Sequence, residues 1–261
     1  MSQRVGIVTG AARGIGRATA IRLAEDGWSL VLSGRSEEEL ASLTGEIEKG
    51  GGKAVPVIGD LREGATPDRL VEAAMSKFGQ LDALINAAGI AKNVPLLELD
   101  LATWQDLFDL HVTATFRCCQ AAGKAMVAQG TGGCIVNVGS VAASMAMYTT
   151  GAYAAAKGAV ASFSRVLAVE LAPHNIRVNT VAPGPVATEQ LRKVYEGPKY
   201  AERSRSIPMN RLAEPGEVGD LIAFLVSPQS AYITGQVFTI DGGAQAVGCY
   251  SYETYKRHAP K

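Results

Sequence analysis

Short apolar runs alternate along the whole chain with longer stretches in which apolar residues return every three or four positions. The runs at residues 4–9, 29–33, 53–58, 81–86, 134–139, 176–181 and 236–241 read as strands buried on both faces, as in a parallel sheet. Helical patterns follow them: from the first glycine turn to Gly27, from Glu37, over 66–78, over about 102–128, from near Gly151 to about Leu171, and from about Pro215 to Val226. Gly27 and Pro173 supply stops. Pro56 cannot donate to a ladder, so the third strand is expected at an edge or with a local irregularity. The alternation predicts right-handed βαβ units: an α/β fold, doubly wound, with about seven parallel strands and helices on both faces. No linker or repeat divides it, so 1–261 is expected to be one domain. Two stretches fall outside the pattern. Residues 185–212 have weak periodicity and several prolines, which suits a substrate lid, and 244–261 form a tail longer than the fold needs.

Composition narrows the partners. The 261 residues are 47% apolar and 19% charged, enough for a sizeable core. Lys and Arg number 25, as do Asp and Glu, and no basic run reaches five residues, which argues against nucleic acid or an anionic membrane as partner. No signal-peptide pattern opens the chain and no apolar run reaches membrane-span length, so a cytoplasmic location is expected. Cys118, Cys119, Cys134 and Cys249 lack the spacing of a metal site or a disulfide framework; reduced, mostly buried thiols and no metal are expected.

Candidate chemistry falls at strand ends. The first strand runs into Gly10-Ala-Ala-Arg13-Gly14-Ile15-Gly16 and then a helix. Such a turn offers backbone N–H groups to a phosphate and lets it approach closely; a tight turn without a ligand is the alternative. After the second strand a carboxylate would select the ribose 2′-hydroxyl of NAD, whereas a guanidinium would pair with a 2′-phosphate. The chain has no acid there but has Arg35, with Arg13 as a second cation; unless both are merely solvated charges, they favour NADP(H), with NAD(H) second. Asp60, followed by Leu61, could accept from an adenine amino group or cap its own turn. Asn86-Ala87-Ala-Gly89 leaves room for a ring and ribose. Ser140 ends the fifth strand, and Tyr153 and Lys157, four apart, share one helix face. A phenol with a pKa of about 10 is a poor acid or base at neutral pH, and a nearby ammonium favours its phenolate. Ser140 could hold a carbonyl oxygen while Tyr153 gives or takes the proton, although a Tyr–Lys pair at this spacing also arises by chance.

Taken together, Thr9-Gly-Ala-Ala-Arg-Gly-Ile-Gly16, Asp60-Leu61, Asn86-Ala-Ala-Gly89, Ser140, Tyr153-Ala-Ala-Ala-Lys157, Asn179, Pro183-Gly184 with Thr188, and Gly235-Gln236 through Asp241-Gly-Gly243 resemble the short-chain dehydrogenase/reductases over nearly the whole chain. The resemblance implies a Rossmann-type fold. It also implies that Gly10, Gly14 and Gly16 line a pyrophosphate, that Asp60 meets the adenine, and that Asn86 with Gly89 lies near the cofactor ribose. Ser140 would orient the carbonyl or hydroxyl and Tyr153 would be the acid/base. Lys157 would hold the nicotinamide ribose and depress the Tyr153 pKa, and Pro183, Gly184, Val186 and Thr188 would hold the nicotinamide end. Arg35 falls where NADP-preferring members carry a basic residue. The family commonly forms homotetramers.

One departure stands out. Where many members carry an Asn of a proton relay, this chain has His111. Its backbone carbonyl could serve the relay and its imidazole could titrate near neutral pH, or it is a helix histidine with no catalytic part. Expected substrate-facing residues are Val94, Met145, Tyr148, Val186, Leu191, Val194, Tyr195 and Met209, besides Ser140 and Tyr153; they suit a carbonyl compound with an apolar body, or are plain lid packing. Tyr250, Tyr252 and Tyr255 in the tail either fray or pack on a neighbouring subunit. The leading expectation is an NADP(H)-dependent ketone reductase or alcohol dehydrogenase; a 3-oxoacyl carrier-protein reductase and a non-catalytic NADP-binding member are the alternatives.

Overall fold

A computed structural model describes residues 3–194 and 197–247. Its strands are β1 (Val5–Thr9), β2 (Ser29–Gly34), β3 (Lys53–Ile58), β4 (Ala83–Asn86), β5 (Gly133–Val138), β6 (Ile176–Pro183) and β7 (Val237–Ile240). They form one parallel sheet in the order β3-β2-β1-β4-β5-β6-β7. The helices are α1 (Gly14–Glu25), α2 (Glu37–Lys49), α3 (Thr66–Phe78), α4 (Leu101–Phe108), α5 (Ala114–Gln129), α6 (Gly151–Leu171), α7 (Glu189–Val194), α8 (Pro198–Arg205) and α9 (Pro215–Val226).

Strand residues alternate between two cores because successive side chains leave opposite faces of a sheet. Val8, Leu32, Ile85 and Val136 pack with Leu23 of α1, Leu40 of α2 and Ile222 of α9. Their neighbours Ile7, Val31, Leu84 and Ile135 pack on the other face with Leu70 of α3, Met126 of α5 and Ala168 of α6. Burying a side chain such as Leu or Ile contributes roughly 1.5–3 kcal/mol. β3 is an edge strand, as Pro56 predicts: Pro56 pairs with Leu32 on one side only.

The strand order reverses at β1, which pairs with β2 on one side and β4 on the other. Thr9 is therefore level with both Ser33 and Asn86, and three strand ends open into one crevice, the usual ligand position in doubly wound sheets. Two expectations need correction. The continuous helix over 102–128 is interrupted by a π-helical turn, Asp109–Thr113, in which the Ala114 N–H reaches the Asp109 carbonyl. The second is the weak periodicity of 185–212: that segment contains α7 and α8 over a small core of Ala187, Ile207 and Leu212, which leaves its expected role as a lid open. The expectation for the tail tyrosines lies outside the described residues. No helix among the described residues is long and apolar enough to cross a membrane.

Candidate active site

The glycine loop after β1 is pressed against the loop after β4. Gly10 has φ +64°, and a Cβ there would stand 2.7 Å from the Ala88 Cα. A Cβ on Gly16 would overlap the Gly10 carbonyl. Beside them lies a cavity of about 250 Å³ lined by Gly10, Arg13, Gly34, Arg35, Asp60 and Gly89, with Leu61 and Ile90 also in its wall. Ile15 turns away from it and packs on the core.

The charges of this cavity are paired. Arg13 bonds Glu39. Arg62 grips Asp60 through Nε at 3.0 Å and Nη2 at 2.5 Å and continues to Asp106, which also accepts from Lys92 at 3.0 Å. Arg62 thereby holds the Asp60 carboxyl below its ordinary value. Asp60 also accepts from the Arg62 N–H at 3.0 Å, so its carboxylate is taken up by turn capping and an ion pair. Arg35 is the least engaged cation of the three arginines in the wall, 3.9 Å from Asp60 and 68% exposed. Asn86, expected near a cofactor ribose, turns its side chain inward: Nδ2 donates to Asn137 Oδ1 at 2.8 Å and to Cys119 Sγ at 3.3 Å. It ties β4 to β5, and Ala87 and Ala88 are instead fixed by their N–H groups on Thr9 Oγ1.

At the end of β5 the groups are buried. Ser140 is extended, and its Oγ accepts from the Ala142 N–H at 3.1 Å. Tyr153 and Lys157 project from the first two turns of α6. A hydrogen bond with Ser140 lowers the Tyr153 pKa, but burial outweighs it and leaves the phenol above its ordinary value. The expected depression by Lys157 does not hold in this arrangement. The Lys157 ammonium lies 5.7 Å from the phenol ring centroid and donates to the Val138 carbonyl at 2.7 Å. Burial lowers the lysine itself to about 8. Thr149, at φ 68°, is strained for a β-branched residue and shapes the loop entering α6; its carbonyl accepts from the Val94 N–H at 2.8 Å.

His111 sits in the π turn and is 1% exposed. Its Nε2 is 2.7 Å from the Ile90 carbonyl and 3.4 Å from the Ile90 N–H; the shorter contact, to an oxygen that can only accept, assigns the proton to Nε2. The ring meets Tyr153 edge-on, centroids 5.3 Å apart, and fills the space that a Cβ on Gly89 would need. Burial, with the Lys157 charge, lowers its pKa to about 3. The imidazole is therefore neutral over the physiological range, which removes the expectation that it titrates near pH 7.

Beyond β6, Thr188 approaches Gly14: a Cβ there would be 3.0 Å from its methyl. Pro183 ends β6, Gly184 lies so close to Asp241 that a Cβ would stand 2.8 Å from its Cα, and Val186 bridges to Ala213. Met145 and Tyr148 are exposed in the segment between Ser140 and α6, Tyr148 87% so. Leu191 packs into the lid core, and Tyr195 lies outside the described residues.

Residues 10–245 match a family model described as enoyl-(acyl carrier protein) reductase. A 3-oxoacyl-[acyl-carrier-protein] reductase of Synechocystis sp. is 38% identical over 93% of this chain and 97% of that protein. The chain belongs to the short-chain dehydrogenase/reductase family. A diacetyl reductase [(S)-acetoin forming] of Staphylococcus epidermidis is 35% identical over 92% of this chain and 98% of that one. The crystal structure of acetoin dehydrogenase from Enterobacter cloacae superposes with a TM-score of 0.87 at 34% identity, covering 95% of this chain and 98% of that one. The protein is thus a short-chain dehydrogenase/reductase with an α/β Rossmann-type fold.

Membership of this family implies a nicotinamide dinucleotide, NAD(H) or NADP(H). The chain's own residues fit one. Gly10 and Gly16 let the loop close tightly on Ala88 and on its own backbone, the α1 N-terminus follows it, and the adjoining cavity carries Arg13 and Arg35.

Proposed function

We propose that this short-chain dehydrogenase/reductase interconverts a carbonyl and an alcohol on a small, largely apolar molecule, with NADP(H) as its preferred cofactor. The observation that carries the assignment is the cluster of buried Ser140 and Lys157 with half-buried Tyr153 beside the glycine loop. When bound, the nicotinamide supplies or accepts the hydride. Ser140 holds the substrate oxygen. In reduction the Tyr153 phenol gives that oxygen its proton; in oxidation it takes the proton back. Lys157, buried one turn away with its ammonium on the Val138 carbonyl, would hold the nicotinamide ribose when the cofactor is bound. His111 stays neutral and braces the phenol ring from its edge.

The NADP(H) preference is supported by Arg13 and Arg35 in the cavity wall and by Ser33-Gly34 where an acid would select NAD. The apolar body is supported by exposed Met145 after Ser140, and the small carbonyl or alcohol by the diacetyl and acetoin names of two relatives. A 3-oxoacyl carrier-protein reductase is the competing assignment, favoured by the name of the Synechocystis relative. A homotetramer is supported by the groove of about 370 Å³ between α5 and α6, lined by Gly123, Val127, Leu167 and Leu171, with exposed Val166 and Val169 nearby.

A panel of diacetyl, acetoin, simple ketones, sugars and 3-oxoacyl thioesters, run with NADPH and NADH in parallel, tests the assignment. Faster turnover of small ketones with NADPH is expected. Turnover confined to carrier-protein thioesters would move the protein to the competing assignment, and no oxidation of either cofactor with any carbonyl would sink both.

A further inference from the structure

We propose that Glu39 sets how strongly the protein discriminates in favour of a 2′-phosphorylated cofactor, by competing with that phosphate for Arg13. The role of Glu39 deepens the NADP(H) preference proposed above and rests on it. Arg13 belongs to the glycine loop and Glu39 to the first turn of α2, yet both line the same cavity. Arg13 Nε donates to Glu39 Oε1 at 2.5 Å, and a second guanidinium nitrogen engages the same oxygen. Ser36 fixes that turn, its Oγ accepting from the Glu39 N–H at 3.3 Å. The carboxylate is thus held on the cavity wall by a formed helix end.

A guanidinium recognises phosphate through the planar fork of donors that it uses for carboxylates. The edge of Arg13 occupied by Glu39 is not free for a phosphate at the same moment. The pair is exposed, with Arg13 at 64% and Glu39 at 28%, so water screens it and exchange is permitted. The other cations of the wall differ. Arg62 is held by both Asp60 and Asp106, whereas Arg35 has one distant contact to Asp60. Arg35 is therefore the ready anchor for a 2′-phosphate, and Arg13 contributes only by leaving Glu39. An adenosine without the 2′-phosphate makes no such demand.

Calorimetric titration of the full-length protein with adenosine 2′,5′-bisphosphate and with adenosine 5′-monophosphate isolates this end of the cofactor. The quantity of interest is the ratio of the two affinities in wild type, Glu39→Gln and Glu38→Gln. Glu38, exposed on the same turn, controls for a general change of charge. Glu39→Gln is expected to raise the ratio about threefold to fivefold, the upper part of what loss of a competing surface pair allows, with monophosphate binding unchanged. Glu38→Gln is expected to leave the ratio within about twofold of wild type. An unchanged ratio in Glu39→Gln, or an equal rise in Glu38→Gln, would overturn the proposal. The wild-type ratio by itself tests the NADP(H) preference. A ratio near one that rises in Glu39→Gln would remove the preference and leave the competition by Glu39 standing.

Discussion

The adenosine end of the groove and its catalytic end handle charge in opposite ways. Around Arg13, Arg35 and Arg62 the charges are partly or largely exposed and matched with carboxylates. Around Tyr153 they are buried, and among the described residues Lys157 and His111 have only backbone groups as hydrogen-bond partners. Exposed pairs are individually weak and exchange readily, which suits a surface that trades an internal partner for a ligand. Burial instead moves pKa values, raising the phenol and lowering Lys157 to about 8 and His111 to about 3. Under the proposed function, one end serves binding and the other proton transfer.

Substitutions at the catalytic end should have the largest effects. Tyr153→Phe and Lys157→Met are each expected to cost about 10²–10⁴-fold in kcat, the range of general acid–base catalysis, with steady-state assays as the check. Between the two ends, Gly16→Val should strain the cradle, because its Cβ would overlap the Gly10 carbonyl. A loss of about 1–3 kcal/mol in denaturant unfolding, together with weakened NADPH binding, is expected.

His111 gives a pH test. Its folded pKa, about 3, lies below the unfolded value of about 6.5. The neutral imidazole therefore contributes stability above about pH 6.5 that is lost as pH falls towards 3. Wild type should lose more stability than His111→Asn over that window, by on the order of 3 kcal/mol at pH 4, read from denaturant midpoints. His111→Asn should keep at least about a tenth of the turnover, because the ring only positions the phenol. A neutral-pH limb of the rate profile that vanished in this variant would contradict the buried, neutral assignment. The smallest effect belongs to the adenosine end: Arg35→Ala should weaken NADP⁺ binding about two- to tenfold, less so in high salt, and leave NAD⁺ unchanged.

The same contrast governs what could be read from the sequence. Apolar runs of strand length, the helix ends at Val226 and Leu171, and the edge position implied by Pro56 are local signals, and the strands and helices follow them closely. Glycine spacing likewise marked the cradle. The π turn at Asp109–Thr113 left no trace, because the helical period resumes on both sides of it. Asn86 could not be oriented, since a strand buried on both faces lacks the alternation that tells inward from outward. The state of Asp60 depends on Arg62, which continues to Asp106, 44 positions away, and no local pattern encodes that contact. Lys157 was expected to act on the phenol; the Val138 carbonyl that competes for it is supplied by the end of β5.

The division between binding and chemistry is tested most directly by measuring NADPH affinity and ketone turnover on one preparation of Tyr153→Phe. NADPH fluorescence titration should give a Kd within about threefold of wild type, while turnover falls by about 10²–10⁴-fold. Wild-type turnover in that variant, or a loss of activity explained entirely by lost NADPH binding, would contradict the account.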